Sequence, residues 1–181
     1  FAGRLVIDDT RVSAWGEHGT ERGEVIHALI ETATRAPEAD LLPRARELLA
    51  DRDLDDSLAA TAVRTVESVL ASPLMERARA AEACLVEVPF TVVDSSTDAP
   101  VLVRGVVDLA FREPAGWVIV DHKTDAPPGG DVLPLAEHYA GQLALYARAW
   151  TSLTREPVAE TGLYFVQTGD YVRSTDDRAP P

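Results

Sequence analysis

The order of textures along this chain predicts an α/β sandwich built on a mixed sheet. Three observations carry the prediction. The first two-fifths repeat apolar residues at helical spacing. Residues 85–122 are β-branched and apolar, broken by turn signals. A long helical pattern over 135–153 then precedes a closing strand pair.

Taken in order, the first helix is expected from near Thr20, which or whose neighbour caps it, through Glu24-Val25-Ile26-His27-Ala28-Leu29-Ile30-Glu31. Ala39 to Ala50 forms a second, short helix. Asp55 or Asp56 caps a third, in which Leu58, Ala62, Thr65 or Val66, and Val69 recur on one face up to Ser72-Pro73. Pro73 to Ala81 adds a further turn or two. Leu85–Val93, Val101–Phe111 and Trp117–His122 are the strands, with a polar turn at Asp94–Pro100 and a connection at Arg112-Glu113-Pro114-Ala115-Gly116. Thr124 to Val132 holds two prolines and two glycines and is a loop. Gly162–Gln167 and Tyr171–Ser174 form a hairpin around Gly169-Asp170, and the tail from Asp176 is expected to be loose. Gly105 is expected to permit a close backbone approach within its strand.

Composition narrows the function classes. At 181 residues and 46% hydrophobic, the chain can bury the core of one good-sized domain. We divide it into a mainly helical part, 1–82, and an α/β core, 83–175. No apolar run reaches membrane-spanning length, no signal peptide is visible, and a cytoplasmic setting is expected. The first residue is Phe1 rather than Met, which predicts a piece of a longer chain. A single cysteine, Cys84, excludes a disulfide framework, a Cys-based zinc site and a four-cysteine iron–sulfur cluster within the segment; it is expected to be a small buried hydrophobe. A net charge of −13 runs against a free-standing nucleic-acid binder. A polyanionic ligand then needs metal ions, a local arginine patch or a basic partner. His18 and His138 are expected at the surface.

The residue that stands out is Lys123, the sole lysine among 17 basic residues. Its persistence in an arginine-rich chain predicts a position that wants a compact ammonium rather than a planar guanidinium. It lies in Val-Ile-Val-Asp-His-Lys-Thr-Asp (118–125). If Glu113–Gly116 closes the hairpin, Arg112 pairs with Trp117, and counting back sets Asp108 opposite Asp121, with Cβ atoms roughly 5 Å apart. Opposed carboxylates repel, so a cation between them is expected, and Mg2+ suits oxygen ligands of this kind. Alternation puts Lys123 on the face of Asp121, about 6.6 Å further along. His122 points the other way, with its carbonyl able to face the metal. Two carboxylates, an ammonium and a divalent metal suffice for phosphodiester hydrolysis. The metal polarises the phosphate and acidifies a water, and the ammonium offsets charge in the transition state.

Arg-Gly-Val-Val-Asp-Leu-Ala-Phe (104–111), Trp-Val-Ile-Val-Asp-His-Lys-Thr-Asp (117–125) and Tyr-Ala-Gly-Gln-Leu-Ala-Leu-Tyr-Ala (139–147) together resemble the PD-(D/E)XK nuclease superfamily. Within it, they are most similar to the RecB-like nuclease domain of UvrD-type helicase–nucleases (exodeoxyribonuclease V and AddA-like C-terminal domains). Gly23-Glu24-Val25-Ile26-His27 is similar to that family's helical histidine motif. The resemblance implies a restriction-endonuclease-like mixed β-sheet core flanked by helices, with an N-terminal helical region. It implies that Asp108 and Asp121 are metal ligands, Lys123 the catalytic lysine, and His27 a further metal ligand. Gln142 and Tyr146, four apart on one helix face, contact nucleic acid or orient catalytic groups in such proteins, and Glu87 matches a family glutamate.

The function so implied is a metal-dependent deoxyribonuclease, an exonuclease using Mg2+ or Mn2+. Its partners are single-stranded DNA, helicase domains of the same polypeptide and a second helicase–nuclease subunit, in double-strand-break repair. One cysteine places the chain with the branch that lacks an iron–sulfur cluster. With one lysine and no G-x-x-x-x-G-K-[ST], ATP hydrolysis belongs outside the segment. Two other readings are a catalytically silent nuclease-like binding or assembly module, and a stand-alone nuclease.

Overall fold

The structure is a computed structural model. It describes residues 6–8, 16–94, 101–125 and 131–174, with side chains over 21–93, 102–125 and 131–173. The capping side chain of Thr20, the surface position of His18, the polar turn over 95–100, loop residues 126–130 and the tail over 176–181 lie outside them.

Four helices come first after a short strand. Strand β1 (Val6–Asp8) is followed by α1 (Gly16–Arg35), α2 (Leu41–Ala50), a 3-10 turn (Asp56–Leu58) leading into α3 (Ala59–Leu70), and α4 (Pro73–Ala80). The caps follow residue chemistry. Asp40 accepts from the Leu42 N–H at 3.0 Å and Asp55 from the Ser57 N–H at 2.8 Å. Ser72 accepts from the Met75 N–H at 3.3 Å, with Pro73 opening α4. Val25, Ile26, Leu29, Ile30 and Ala33 bury one stripe of α1. That stripe, α2, α3 and α4 pack on Val86, Leu109, Phe111, Val118, Val120 and Tyr164 of the sheet and on Val166 in the turn that follows.

The remaining elements are β2 (Ala83–Asp94), β3 (Val101–Glu113), β4 (Gly116–Lys123), α5 (Leu133–Thr154), β5 (Val158–Phe165) and β6 (Asp170–Ser174). They complete a six-stranded mixed sheet ordered β1-β3-β4-β5-β6, with β2 also paired to β3. β1–β3 and β4–β5 are parallel; the other pairs are antiparallel. Helix α5 covers the second face, burying Leu143, Tyr146, Ala149 and Trp150 against Phe90, Val103, Val107, Ala110, Trp117, Ile119, Leu163 and Phe165. The result is the expected α/β arrangement of a sheet flanked by helices, consistent with the restriction-endonuclease-like expectation.

The β3–β4 hairpin has the expected register, Arg112 opposite Trp117, and its turn is tighter than expected because Glu113 and Gly116 also pair. Gly116 holds φ +133°, and a Cβ there would stand 2.6 Å from the Pro157 carbonyl oxygen, so only glycine fits. Arg77 of α4 fastens this end of the sheet: its guanidinium grips Glu113 at 3.0–3.1 Å and Glu160 of β5 at 3.0–3.3 Å.

Some expectations are corrected. Strand β1, in a stretch expected to be helical, adds to the sheet by parallel pairing with Leu102–Arg104. Three residues are too short a run to announce a strand by alternation. Cys84 is exposed rather than buried. It lies at the start of β2, which pairs only with β3 among the described residues, and neighbouring Leu85 is also 42% exposed. His138 is exposed as expected. Gly105 makes room for a side chain rather than for backbone: a Cβ there would lie 2.8 Å from the Phe90 ring and 3.3 Å from Tyr146.

A change of face in the β2–β3 pair positions the site. Val88, Phe90, Val103 and Val107 face α5, whereas Val86, Leu109 and Phe111 face α1–α4. Both strands therefore switch faces at the same rung, between 86 and 88 and between 107 and 109. The rung skipped by the ladder is Glu87 against Asp108. Glu87 has φ +49°, a left-handed conformation that costs a non-glycine residue ~1–2 kcal/mol. That single residue breaks the pleat and aims two carboxylates out of their regular alternation.

Candidate active site

The site lies on β3 between the stretches that pair with β1 and with β4. On one edge β3 pairs with β1 at 102–104 and with β4 at 109–113, and among the described residues no strand pairs with 105–108 on that edge. Asp108 sits at the end of this stretch. The β3–β4 ladder stops at Leu109 opposite Val120, one rung short of Asp108 and Asp121. In place of a ladder bond, the Asp108 Oδ2 accepts the backbone N–H of His122 at 2.7 Å.

Helix α1 delivers His27 to the same point. Its Nδ1 lies 3.0 Å from Glu87 Oε1 and 3.5 Å from Asp108 Oδ1, and its Nε2 lies 3.1 Å from the His122 carbonyl oxygen. The carbonyl can only accept, so Nε2–H donates to it. Nδ1 is then turned to two carboxylates, an arrangement satisfied by a proton or a cation. Burial pushes Asp108 up to about 7; the neighbouring Asp121 and Glu87 carboxylates push the same way, against the opposing pull of His27 and the His122 N–H. Three acceptors crowded into a site with His27 and Asp108 only 8% and 5% exposed repel one another unless positive charge joins them.

His27, Glu87 and Asp108 can each point one ligand atom into a space where all three lie within 4.8 Å of one another. One imidazole nitrogen and two carboxylate oxygens fit a divalent cation such as Mg2+ or Mn2+. The set expected from sequence is His27, Asp108 and Asp121. The structure groups His27 and Asp108 with Glu87, and sets Asp121 beside them. Asp121 is 4% exposed, and its Oδ2 accepts no aligned hydrogen bond although Lys123 Nζ stands 2.8 Å away. A further buried carboxylate beside the cluster is the second observation that fits a cation there.

Lys123 follows the expected alternation from Asp121. Its Nζ is 2.8 Å from Asp121 Oδ2 and donates to Gln142 Oε1 at 3.0 Å. Gln142 Nε2 in turn donates to the Tyr146 hydroxyl at 2.9 Å. The expected Gln142–Tyr146 pair thus reaches Lys123 along one face of α5. Tyr146 is also core, 2% exposed and edge-on to Phe90 at 5.4 Å. Its two roles coexist because the ring packs while the hydroxyl reaches out.

His122 faces away from Lys123, as alternation predicts. Its ring lies edge-on to His27 and Tyr164 at 6.1 and 5.9 Å, and burial, with His27 beside it, pulls it down to about 3. It stays neutral, while its backbone serves both His27 and Asp108.

Sequence reasoning leaves two residues of the site, Tyr139 and Asp125, without a role. Tyr139 lays its ring 3.6 Å beneath Lys123 Nζ and donates its hydroxyl to Asp125 Oδ2 at 3.2 Å. A signal is present: Tyr139 precedes Gln142 by three, on the same helix face, but an aromatic at helical spacing first suggests core.

A family model described as the PD-(D/E)XK nuclease superfamily matches residues 7–179. The chain is similar to an ATP-dependent helicase/nuclease subunit of Desulforudis audaxviator, 50% identical over 70 residues, covering 38% of this chain and 6% of that protein. The protein of the same name from Heliobacterium modesticaldum is 30% identical over 186 residues, covering 92% of this chain and 13% of its own length. That of Bacillus licheniformis is 29% identical over 176 residues, covering 86% and 14%. The chain therefore spans well under a fifth of the length of these curated relatives.

Proposed function

The chain belongs to the PD-(D/E)XK nuclease superfamily, and from that premise we propose that it is the Mg2+-dependent deoxyribonuclease unit of an ATP-dependent helicase–nuclease, acting as an exonuclease on single-stranded DNA during double-strand-break repair. The observation that carries the reading is the meeting of a three-donor cluster with a carboxylate–lysine pair on neighbouring strands.

In this reading His27, Glu87 and Asp108 hold the cation, and Asp121 turns its spare oxygen to it. Mn2+ serves in place of Mg2+, having the same preference for oxygen ligands. A divalent cation bound there supplies Lewis-acid polarisation of the scissile phosphate and a more acidic water. Lys123 keeps a compact positive charge next to Asp121, where the phosphate gains negative charge in the transition state. Gln142 holds Lys123 from the other side: the ammonium, a donor only, takes the amide oxygen, and the amide nitrogen is left to donate to the Tyr146 hydroxyl. His122 places His27 and Asp108 through its backbone carbonyl and N–H.

The helical part and the sheet act as one catalytic unit over 1–181, a reading supported by the 3.0 Å contact of His27 with Glu87 across the two parts. The names of the relatives and the small share of their length that is matched support the larger machine. So does the net charge of −13, which leaves DNA delivery to basic surfaces elsewhere. A cytoplasmic setting, helicase domains of the same polypeptide and a second subunit complete the proposal; no helix among the described residues is long and apolar enough to cross a membrane.

The test is cleavage of end-labelled single-stranded DNA with Mg2+, with Mn2+ and with chelator, by the chain and by Asp121→Ala and Lys123→Ala. Metal-dependent shortening from an end, lost in both variants, is expected. Equal, metal-independent background in all three proteins would sink the nuclease reading and leave a silent binding or assembly module.

A further inference from the structure

We propose that Tyr139 is a positioning residue whose ring face and hydroxyl, anchored on Asp125, hold the Lys123 ammonium against Asp121 in register for the reacting phosphate. The inference rests on the nuclease reading for its consequence and on geometry alone for the contact.

Among the described residues Lys123 Nζ has three close neighbours: Asp121 Oδ2 at 2.8 Å, Gln142 Oε1 at 3.0 Å and the centre of the Tyr139 ring at 3.6 Å. Two are acceptors that pull the ammonium along and across the strand. The third closes the remaining side with the electron-rich face of a phenol, which attracts a cation and excludes water. A lysine side chain has four rotatable bonds, so two acceptors alone leave the head free to swing. The ring removes that freedom without adding a charge that would compete with the phosphate.

The ring is itself held. Tyr139 donates to Asp125, two residues past Lys123 on the same chain segment, so strand end and helix clamp the ammonium between them. Burial, with Asp125 beside it, pushes the Tyr139 phenol up to about 12, which keeps the donor proton in place. The box also accounts for lysine here. A planar guanidinium would need several fork-shaped partners and would stand off further from the ring and from Asp121.

The sole lysine gives a direct readout. With 13C-labelled lysine the chain shows a single set of lysine signals, all from Lys123. In the native chain the Hε protons are expected upfield of their free position, because Nζ lies over the ring. Tyr139→Leu, which keeps the apolar packing, is expected to abolish that shift and to lower kcat roughly tenfold with little change in KM, the size of a mid-range cation–π contact. Tyr139→Phe, which restores the ring without the hydroxyl, is expected to bring back the upfield shift and most of kcat. An unshifted lysine signal in the native chain, or Tyr139→Leu and Tyr139→Phe behaving alike in signal and kcat, overturns the proposal. The two readings fail separately. Loss of the nuclease reading shows as metal-independent cleavage in Asp121→Ala, whereas loss of this one shows in the lysine signal, which needs neither metal nor DNA.

Discussion

Replacing Asp108 by asparagine should make the metal-free protein more stable while removing its activity. Asp108 is 5% exposed, and its acidity is weakened from an ordinary 3.8 to about 7, first by burial and then by the Asp121 and Glu87 carboxylates. A folded-state value above the unfolded one means that the native state binds the proton more tightly. The corresponding stability is present below about pH 4 and is lost as pH rises through about 7. At about 1.4 kcal/mol per tenfold change in proton affinity, the rise from 3.8 to about 7 bounds the loss at roughly 4 kcal/mol. Relaxation and entering water reduce this, so a gain of about 1–3 kcal/mol is expected for Asp108→Asn at pH 8 in chelator. The amide oxygen can still accept the His122 N–H, so the local backbone is kept. Urea denaturation at pH 8 and at pH 5 measures the effect. The difference between variant and native chain should shrink at pH 5, where Asp108 is already protonated. Mg2+ at a hundred times its Kd should then add about 2.7 kcal/mol to the native chain and nearly nothing to the variant. A less stable Asp108→Asn protein in chelator at pH 8 would refute the argument that this buried charge is uncompensated.

Two further substitutions test the neighbouring parts. Lys123→Arg should keep the fold and the metal-induced stabilisation yet cut cleavage by about a hundredfold or more, because a planar fork does not fit the ammonium's place; near-native cleavage would return Lys123 to a solvating role. Gly105→Ala puts a Cβ 2.8 Å from the Phe90 ring and 3.3 Å from Tyr146, so it should lower unfolding free energy by about 1–3 kcal/mol, and an unchanged urea midpoint would mean that the two rings move aside freely.

Much of the architecture is legible in the sequence because it rests on local chemistry. The β3–β4 register follows from one turn, and with it the approach of Asp108, Asp121 and Lys123. The long helix places Gln142 and Tyr146 on one side by its 3.6-residue period. The grouping of the side chains around His27 is only partly legible. Counting along strands assumes an unbroken pleat, and the pleat breaks at Glu87, whose φ of +49° no neighbouring glycine or asparagine announces. Tyr139 is hidden for a different reason: an aromatic at helical spacing fits core packing equally well.

By itself, then, the sequence determined the chemical kit and its order: a histidine on a first helix, two aspartates on a hairpin, a lone lysine two residues on, and a glutamine–tyrosine pair on the next helix. Periodicity and turn chemistry act over a few residues, and these features lie within that range. Only the tertiary structure decided which members touch. It set Glu87, rather than Asp121, against His27 and Asp108, paired Asp121 with Lys123, and slid Tyr139 beneath the ammonium. Those contacts join positions 60 and 81 residues apart for His27 with Glu87 and Asp108. They depend on how one strained residue turns the sheet and how two helical layers close on it, which no local pattern encodes.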